Sequence, residues 1–414
     1  MKVKTIVLAS GKSSRMHPLG DKNLLCLEGE PLIIKLLKRA KQGGLKDFII
    51  VTNKNNDKKI RENLSLFGFT KAKTCIQKNQ NLGVAEGVRV GLKQVKNTES
   101  VFILGGNDFI NPKTYKLLIK QTKKKKARGG ILAYKTKKYF PGGYLKFNKK
   151  ERLQRIIEKP GEKNTPSSYV NIFAHFFLQA KDIKTALAKI PKKLKSGDGI
   201  YEKQIDALAK KIPISVFLYD KEWHTVKYPF HVLSLSGFFL SQAKTKISRK
   251  AIISKKATLS GKGIVIKKDV RVLPGATIVG PCYIGENTLV GSNCLVRNAN
   301  IEKNCDIGFG TEVARSVLSP CVSAHSSYIG DSVISTKVNF GAFSCTTNLR
   351  LDHKNIQIKI KNKTLDSGAK KLGSFIGSDA QIGAGVFLSP GKLVNKGDFI
   401  YNKFQLKTIK KEKN

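Results

Sequence analysis

The first residues that could do chemistry follow a short apolar run at the start of the chain. The segment Leu8–Met16 reads Leu-Ala-Ser-Gly-Lys-Ser-Ser-Arg-Met. A turn of small residues between a strand and a helix exposes backbone N–H groups that can hold a phosphate, and Lys12 and Arg15 add positive charge. The segment is not a Walker loop, because the upstream glycine is missing at the required spacing. Phosphate binding is therefore predicted, and a purely structural turn is the alternative.

A second group of such residues surrounds a histidine in the last third of the chain. His325 is followed by Tyr328, and Asn339 and Asn348 come later. A neutral imidazole is suited to accept a proton near neutral pH. A lone histidine on a regular surface is usually without a role, but the tyrosine, both asparagines and Arg297 favour a catalytic site. The other histidines have no partners visible in the sequence: His17, His175, His224 and His353.

Alternating strands and helices must position the first group. Three short apolar runs predict buried strands: Thr5–Ala9, Phe48–Thr52 and Val101–Leu104. Three amphipathic stretches predict helices: Leu32–Ala40, Val84–Val95 and Tyr115–Thr122. The alternation predicts an α/β Rossmann-like domain with its ligands at the carboxyl ends of the strands. Two further runs predict strands added over the sheet: Gly142–Phe147 and Arg155–Glu158.

A six-residue repeat between Val265 and Asn300 must position the second group. Its aliphatic residues are Ile266, Val272, Ile278, Ile284, Val290 and Val296. Small or β-branched residues follow four positions after each: Val270, Ala276, Cys282, Thr288, Cys294 and Asn300. This period predicts a left-handed parallel β-helix, in which the aliphatic residue fills the prism and the small residue turns the corner. The register resumes after Asn300 and again from Ile376 to Val394.

The two patterns divide the chain. The α/β domain is predicted at residues 1–232, a short helix-like linker at 233–250 and the β-helix at 251–414. The stretch between Thr346 and Gly373 is polar and lysine-rich, which predicts a loop excursion from one coil. Such excursions commonly build sites at subunit contacts, because an exposed prism face favours trimer packing.

Composition limits the partners. The 414 residues are 40% hydrophobic, enough for two cores, and 77 Lys plus Arg against 29 Asp plus Glu give a net charge of +48. Such a charge could attract nucleic acid or an anionic membrane. The lysines, however, are spread over the chain without an RNA-binding motif, so we expect anionic small-molecule substrates, no nucleic acid and no membrane. Seven cysteines without a Cys-x-x-Cys pair, and no signal-peptide core, predict a cytoplasmic protein.

The order of these motifs resembles a known family. The loop sequence, Lys22 seven residues past Arg15, and Pro31-Leu32-Ile33 closely resemble the sugar-1-phosphate nucleotidylyltransferases. Joined to a hexapeptide β-helix, nearly the whole chain looks like the bifunctional N-acetylglucosamine-1-phosphate uridylyltransferase/glucosamine-1-phosphate N-acetyltransferase family. The resemblance implies that glucosamine-1-phosphate is acetylated by acetyl-CoA and that UMP is transferred from UTP to the product. UDP-N-acetylglucosamine, used in cell envelope biogenesis, and pyrophosphate would result.

The resemblance implies roles in the α/β domain. The implied nucleotide-binding residues are Leu8, Ala9, Gly11, Lys12, Gln77 and Gly83. Arg15 and Lys22 are the implied catalytic residues: Arg15 holds the triphosphate, and Lys22 neutralises charge where the sugar phosphate meets the nucleotide. The implied sugar-binding residues are Gly143, Glu158 and Asn171. The chemistry needs no nucleophilic side chain, since the sugar-phosphate oxygen attacks the α-phosphorus in line and the enzyme positions the anions.

The metal site is where the chain departs from the family pattern. The family places an Asp directly after Gly at the end of the Val101–Leu104 strand, whereas this chain has Gly-Gly-Asn107-Asp108. Either Asp108 reaches the ion through a shifted turn or Asn107 takes its place. A second ligand is expected at His231, where relatives often carry Asp, although histidine is a poor ligand for Mg²⁺. We expect Mg²⁺, with Mn²⁺ as the alternative ion, and a domain-interface role is the alternative for His231.

The resemblance also implies roles in the β-helix. His325 would take a proton from the sugar amine as it attacks the acetyl-CoA thioester. The implied sugar-phosphate residues are Arg297, Tyr328, Asn339 and Lys354, and the implied acetyl-CoA residues are Asn348 and Ser378. A family phosphate-binding lysine aligns with Ala314. The neighbouring Arg315 is expected on the opposite face, because a one-residue shift turns a side chain over.

Two other functions stay open. A nucleotidylyltransferase for another sugar, such as glucose-1-phosphate, could carry the β-helix as a non-catalytic trimer scaffold or regulatory module. A subunit of the translation exchange-factor type could use both domains to bind proteins. The cluster at His325 argues against the first alternative, and Lys22 with its loop argues against the second. We expect a homotrimer, and the sequence does not fix the nucleotide base.

Overall fold

Apolar, β-branched runs make the strands on which the first half of the chain is built. In the computed structural model, which describes residues 3–188, 190, 197, 199–360 and 363–401, these strands share one mixed sheet. The strands are β1 (Val3–Leu8), β2 (Asp47–Thr52), β3 (Lys73–Ile76), β4 (Ser100–Gly105), β5 (Gly129–Lys135), β6 (Gly143–Phe147), β7 (Leu153–Glu158), β8 (Tyr169–Phe177) and β9 (Ile214–Tyr219). Every residue of β4 is buried, as expected of a parallel strand covered on both faces.

The sheet order explains where the nucleotide loop lies. The strands run β7-β6-β8-β4-β1-β2-β3, and β5 joins β8 to β9. Strand β1 is parallel to β4 and β2, and β2 is parallel to β3. These strands therefore end at one edge, and the loop begins there at Leu8.

The strands predicted to lie over the sheet are instead part of it, which corrects that expectation. Strands β6 and β7 form an antiparallel hairpin, and Tyr144 of β6 pairs with Val170 of β8. The hairpin therefore extends the sheet beside β8.

Helices follow the strands as predicted. They are α1 (Leu32–Gln42), α2 (Asp57–Leu66), α3 (Gly83–Leu92), α4 (Lys113–Lys124), α5 (Ala180–Ala188), α6 (Ile200–Ala209) and α7 (His231–Ser241). The three predicted helices are confirmed as α1, α3 and α4. Helices α3, α5 and α6 pack their apolar residues into one core with Ile6 and Ile103 of the sheet. The apolar face of an amphipathic helix must be buried against another apolar surface.

The six-residue repeat forms a parallel β-helix of the left-handed hexapeptide type, as predicted. Within the described residues its short strands stack in three sheets of eight, eight and seven strands. Ile266 pairs with Ile284, and Ile278 with Val296, so equivalent aliphatic residues lie above one another. The predicted aliphatic residues are at most 1% exposed: Ile266, Val272, Ile278, Ile284, Val290 and Val296. The column of aliphatic side chains is the core of the prism.

The coils shorten where the six-residue register becomes irregular. Ile284 pairs with Ile301, one residue closer in sequence than a full eighteen-residue coil, and Val313 pairs with Ile329, two residues closer. The predicted excursion is confirmed after Thr346, and it contains an antiparallel hairpin of Gln357–Ile360 with Lys363–Asp366. Stacking then resumes, since Val333 pairs with Phe375.

The backbone contacts divide the chain into two units. The first contains the residues up to Ser13, Asp21–Leu24 and Pro31–Thr225, and the second contains Ser14–Gly20, Leu25–Glu30 and the residues from Val226 onward. The domain limits at 232 and 250 stay a prediction, and residues 402–414 of the predicted β-helix domain lie outside the described residues. All seven cysteines are free thiols. None of the helices in the described ranges combines the length and apolarity needed to cross a bilayer.

Candidate active sites

The loop after β1 leaves its glycine open. Ala9 donates its N–H to Val51 O at 2.8 Å, and Leu8 O accepts from Gly106 N at 3.0 Å, so the loop leaves from a fixed sheet edge. Gly11 is exposed, and a Cβ built on it would meet no atom within 4 Å. Backbone N–H groups beside such an open carbon can be approached closely by a phosphate.

A set of amide and carboxylate side chains, which the sequence reasoning missed, holds this loop. Asn53 Nδ2 donates to Ser10 O at 3.1 Å, and Asn56 Nδ2 donates to Ala9 O at 2.8 Å and to Asp21 Oδ2 at 2.7 Å. Both asparagines are at most 4% exposed. Because the buried carbonyls have fixed donors, the loop conformation is set before any ligand binds. The available signal was an Asn pair directly after a predicted strand.

The predicted cations lie along and beyond the loop. Lys12 is exposed, and its Nζ lies 3.3 Å from Asn81 Oδ1. Lys22 opens a short 3₁₀ turn, and its N–H donates to Ser13 Oγ at 3.3 Å. Arg15 belongs to the second unit, where its guanidinium carbon lies 5.7 Å from the ring centroid of Tyr228. Lysine and arginine side chains at such positions can contact a phosphate.

The two predicted base-reading residues, Gln77 and Gly83, have different structural roles. The Gln77 side chain is 3% exposed, its Oε1 accepts from Ser10 Oγ, and its Nε2 donates to Asn79 O at 3.1 Å and Gly83 O at 2.9 Å. Both amide hydrogens are therefore used inside the protein. Gly83 has φ +58 and ψ −143, a conformation that only glycine adopts without strain. Gln77 thus shapes the segment that leads into α3.

The three predicted sugar-binding residues are brought together by three neighbouring strands. A Cβ built on Gly143 of β6 would lie 3.2 Å from Glu158 Oε2 of β7 and 3.7 Å from Asn171 Cβ of β8. The hairpin places Gly143 directly opposite Glu158 in its register. Because that Cβ would also lie 3.1 Å from Ile156 Cγ2, a larger residue would be crowded here, and the glycine lets the Glu158 carboxylate and Asn171 lie close together. A carboxylate and an amide in this arrangement suit recognition of hydroxyl or amide groups.

A buried histidine lies behind Asn171. His175 is fully buried, its Nε2 lies 2.9 Å from Asn171 Oδ1, and its Nδ1 lies 2.9 Å from Tyr201 Oη. Burial lowers the pKa of His175 to about 3, so the ring is neutral at ordinary pH. The Phe173 ring stacks on it with centroids 4.8 Å apart. The sequence reasoning had found no partner for this histidine.

The two predicted metal ligands differ in how well they fit Mg²⁺. Asp108 Oδ1 accepts from Trp223 Nε1 at 3.0 Å, and a carboxylate can bind a divalent ion as well. Asn107 Nδ2 donates a hydrogen bond to Thr225 Oγ1 at 2.9 Å. His231 Nδ1 accepts from the N–H of Lys227 at 3.1 Å, so a neutral ring carries its proton on Nε2 and has no lone pair for a metal. Across the described residues, no three His, Cys, Asp or Glu side chains gather as a metal site.

His231 itself stays a neutral residue. Burial, followed by the positive charges of Lys227 and Arg15, lowers the pKa of His231 to about 4. Its assignment as a metal ligand stays a prediction that these hydrogen bonds do not support. Asp108 is therefore the residue suited to hold the ion, and Mg²⁺ needs few protein ligands when phosphates and water complete its shell.

The predicted base of the β-helix is open to solvent. His325 is exposed and follows the strand Ser323–Ala324. Asn339 is also exposed and pairs with Ser323 in the next coil. The His325 Nδ1 would lie 3.1 Å from a Cβ on Gly308 of the preceding coil, so glycine there makes room for the ring. An exposed imidazole can exchange protons with a bound substrate.

Four side chains of the β-helix, Arg315, Tyr328, Asp331 and Asn348, form one hydrogen-bonded cluster. Asn348 Nδ2 donates to Tyr328 Oη at 2.9 Å and to Asp331 Oδ2 at 2.5 Å. Arg315 pairs with Asp331 through Nε–Oδ1 and Nη2–Oδ2, both 2.7 Å. The hydrogen bond to Asp331 raises the pKa of Arg315 above its ordinary value. Tyr328 and Asn348, which the family resemblance assigns to one site, are thus hydrogen-bonded to each other.

The position of Arg315 differs from the expectation. Ala314 is buried, and Arg315 has φ +49, so the backbone turns a corner between them. The corner brings the Arg315 side chain beside Tyr328 and Asp331 instead of turning it to the far face. The alternation rule holds along a strand, and it fails here because Arg315 lies just past the strand Glu312–Ala314.

The remaining predicted residues are spread over the β-helix. Arg297 pairs with Glu312 through two nitrogens on Oε1, at 3.0 and 2.6 Å. Lys354 lines a cavity of about 350 Å³ in the excursion, together with Arg350, His353, Asn355, Gln357, Asp366 and Lys370. That cavity contains neither His325 nor Tyr328. Ser378 is half-buried at a corner after Phe375–Ile376.

Comparison with known proteins follows the same division. A family model described as nucleotidyl transferase matches residues 4–226, more than half of the chain. The chain belongs to the nucleotidyl transferase family. A second model, described as bacterial transferase hexapeptide with six repeats, matches residues 263–298 of the β-helix. This member of the family is an enzyme whose second half carries the hexapeptide fold.

Relatives share the order of both halves. A Sulfurisphaera tokodaii protein named bifunctional sugar-1-phosphate nucleotidylyltransferase/acetyltransferase is 29% identical, with 96% of each chain covered. A Methanococcus maripaludis protein named bifunctional protein GlmU is 24% identical over 95% of this chain and 92% of its own. The resemblance inferred from the motifs is thus confirmed. A solved Bacillus anthracis structure, assigned as a glucose-1-phosphate thymidylyltransferase, has a TM-score of 0.50 at 16% identity, covers 59% of this chain and 97% of its own, and shows the fold alone.

Proposed function

We propose that this nucleotidyltransferase couples two reactions on one sugar. The β-helix acetylates glucosamine-1-phosphate with acetyl-CoA, and the α/β unit transfers UMP from UTP to N-acetylglucosamine-1-phosphate. The observation that carries the UMP-transfer part of this proposal is the convergence of Gly143, Glu158 and Asn171 from three strands. Relatives named as bifunctional enzymes over nearly the full chain support the pairing of the two activities.

Nucleotidyl transfer needs anions held in line. The sugar-phosphate oxygen attacks the α-phosphorus of UTP, a new P–O bond forms, and the bond to the β,γ-phosphates breaks, so pyrophosphate leaves. Lys12 and Arg15 hold the leaving phosphates, and Lys22 offsets charge where the two phosphates meet. The open backbone at Gly11 admits the triphosphate. Glu158 and Asn171 orient the sugar.

The expected Mg²⁺ would be held by Asp108. When bound, the ion supplies positive charge that stabilises the departing phosphates. Asp108 suits this task because its carboxylate is fixed by Trp223. His231 is left out of the ligand set in this proposal, and its neutral ring instead fixes the backbone at Lys227 and Tyr228.

Acetyl transfer needs a base and a phosphate site. The sugar amine attacks the thioester carbonyl, His325 takes the amine proton, the C–N bond forms and the C–S bond breaks to release coenzyme A. Tyr328 and Asn348, bonded to each other, border the reacting groups. Arg297 and Arg315 hold the sugar phosphate, so Arg315 supplies the charge that Ala314 lacks. A neighbouring copy in a homotrimer would bring Lys354 to this site.

Separate assays of both half-reactions test the proposal. The purified protein with UTP, N-acetylglucosamine-1-phosphate and Mg²⁺ or Mn²⁺ should release pyrophosphate. With glucosamine-1-phosphate and acetyl-CoA it should release a free thiol. Parallel reactions with glucose-1-phosphate and with dTTP measure the sugar and base preference. Lys22→Ala should lose pyrophosphate release and keep thiol release.

Each result of these assays supports or removes one part of the proposal. Absence of thiol release would remove the acetyltransferase assignment, and faster turnover of glucose-1-phosphate would replace the sugar. Failure of pyrophosphate release with every sugar phosphate and nucleotide would leave a protein-binding scaffold as the better account.

A further inference from the structure

Three side chains in the α/β unit form a buried relay that ends at the sugar site. Tyr201 lies in the first turn of α6, His175 lies on β8, and Asn171 is four residues before His175 on the same strand. Tyr201 Oη lies 2.9 Å from His175 Nδ1, and His175 Nε2 lies 2.9 Å from Asn171 Oδ1. Tyr201 and His175 are both 0% exposed. The relay is therefore isolated from water except at Asn171.

The direction of the protons in this relay follows from the tyrosine. A phenol has one proton to donate, and a buried donor without an acceptor costs free energy. Within the described residues, His175 Nδ1 is the single hydrogen-bond partner of the Tyr201 hydroxyl. Nδ1 must then be the acceptor, so the neutral ring carries its hydrogen on Nε2. The opposite tautomer would donate from Nδ1 to the tyrosine oxygen and leave the phenol proton without an acceptor.

The tautomer decides how the asparagine faces the ligand. A hydrogen on Nε2 requires an acceptor at 2.9 Å, and only the carbonyl oxygen of Asn171 can accept. Among the described residues, the Asn171 Nδ2 group has no hydrogen-bond partner. It is also not one of the polar atoms that are buried there without a partner. Asn171 is half-buried, and its Cβ would lie 3.7 Å from a Cβ built on Gly143. Its NH₂ group is thus available to a bound molecule.

We infer that Tyr201 and His175 act as positioning residues that make Asn171 a hydrogen-bond donor in the sugar site. This inference rests on the proposed function of that site. The site then selects a sugar phosphate that presents an acceptor oxygen, a carbonyl or hydroxyl lone pair, to Asn171. A sugar with an ammonium group at that point would meet a second donor and bind more weakly.

Nitrogen NMR tests the tautomer directly. The protein, which has six histidines, is labelled with ¹⁵N-histidine, and the His175 signals are assigned by their change in Tyr201→Phe. We expect one protonated Nε2 and one unprotonated Nδ1 in the wild type. A protonated Nδ1 in the wild type overturns the inference, whatever the enzyme turns over.

Kinetics with N-acetylglucosamine-1-phosphate and UTP test the consequence. Tyr201→Phe should raise the KM for the sugar phosphate about three- to tenfold, as expected for one misplaced hydrogen bond, and leave the KM for UTP unchanged. Asn171→Asp replaces the donor by an acceptor and should lower kcat/KM for the sugar phosphate further. Adding Tyr201→Phe to Asn171→Asp should cost nothing more, because no amide is left to orient.

A matched control separates positioning from folding. Tyr115 is another buried tyrosine, on α4, and Tyr115→Phe should change neither KM. Equal changes in both KM values for Tyr201→Phe, or additive effects in the double variant, would contradict the relay. A wild-type protein that releases no pyrophosphate would instead remove the proposed function, while the nitrogen signals would still decide the tautomer.

Discussion

The proposed sugar site of the α/β unit and the proposed histidine site of the β-helix are built in opposite ways. Around Asn171 the supporting side chains are buried and hydrogen-bonded, with Tyr201 and His175 fully enclosed. Around His325 the base is exposed, Asn339 beside it is exposed, and Lys354 lies in a separate cavity. The first site is preorganised by one chain, whereas the second presents its groups on an open surface.

This difference shows how each unit positions the side chains of its proposed site. A mixed sheet brings three strand ends together, so a close approach such as Gly143 to Glu158 is possible within one fold. A prism has flat outer faces, and a side chain on such a face has neighbours only above and below it. In the proposed homotrimer, a second copy would enclose the substrate of the β-helix site. Changes in the first unit should act through internal support, and changes in the second should act at the surface.

The largest expected effect is on acetyl transfer. His325→Ala should lower kcat for thiol release about 10²- to 10⁴-fold, because the amine loses its base. Pyrophosphate release should not change, since His325 belongs to the β-helix unit. Lys337→Ala, at an exposed corner of the next coil, is the matched control. A parallel loss of both activities would show that the two units do not work independently.

A smaller effect is expected when the internal support of the nucleotide loop is removed. Asn56→Ala takes away donors to Ala9 O and Asp21 Oδ2. We expect kcat/KM for UTP to fall about 10- to 100-fold, because a loosened loop misplaces the phosphates. Asn63→Ala, on the exposed face of α2, should have no effect. An unchanged kcat/KM for UTP in Asn56→Ala would mean that the loop keeps its shape without this support.

The sequence was sufficient wherever a repeat or a periodic pattern carried the structure. The aliphatic positions of the hexapeptide repeat, the central strands and helices α1, α3 and α4 were all predictable, because each depends on local periodicity. The confirmed family follows from motifs that lie in short, contiguous segments. Residues such as Gly143 and Glu158 could be assigned to a sugar site only by resemblance, since the hairpin that joins them was expected over the sheet.

Contacts between distant segments could not be predicted in the same way. Asn56 contacts Asp21, and His175 contacts Tyr201, because the fold packs helices against the sheet. Each contact joins segments that are far apart in the sequence, so no local pattern encodes it. Arg315 was misplaced for a different reason. A residue in the left-handed region turns the chain, and an arginine gives little sign that it will adopt this conformation.

The third prediction concerns that arginine. Arg315→Gln should raise the KM for glucosamine-1-phosphate about tenfold, because a charge-assisted contact to the phosphate is lost. The KM for acetyl-CoA should stay the same. Arg271→Gln, on an exposed strand position of an earlier coil, is the matched control for loss of one positive charge. If Arg315→Gln leaves the sugar KM unchanged, Arg315 serves only to hold Asp331.

The fourth prediction changes stability and leaves both activities intact. Burial raises the pKa of Asp206 to about 6, while the N–H of Ile156 on its Oδ1 acts in the opposite direction. The folded protein thus holds this proton more tightly than the unfolded chain does. Stability from Asp206 is fully present below the ordinary pKa of 3.8 and is lost as the pH rises through about 6.

Asp206→Asn removes this dependence and keeps an oxygen for Ile156. Urea unfolding at pH 4.5 and pH 7 should show that the wild type loses about 1–3 kcal/mol relative to the variant as the pH rises. His175 of the same unit is buried in both proteins, so its contribution cancels in the difference. The change should appear in the unfolding of the α/β unit and not in that of the β-helix, because α6 packs in the core of the first. An equal pH dependence of the unfolding free energy in the two proteins would mean that Asp206 is charged in the folded state without loss of stability. The edge of the sheet would then be as open to water as the surface of the prism.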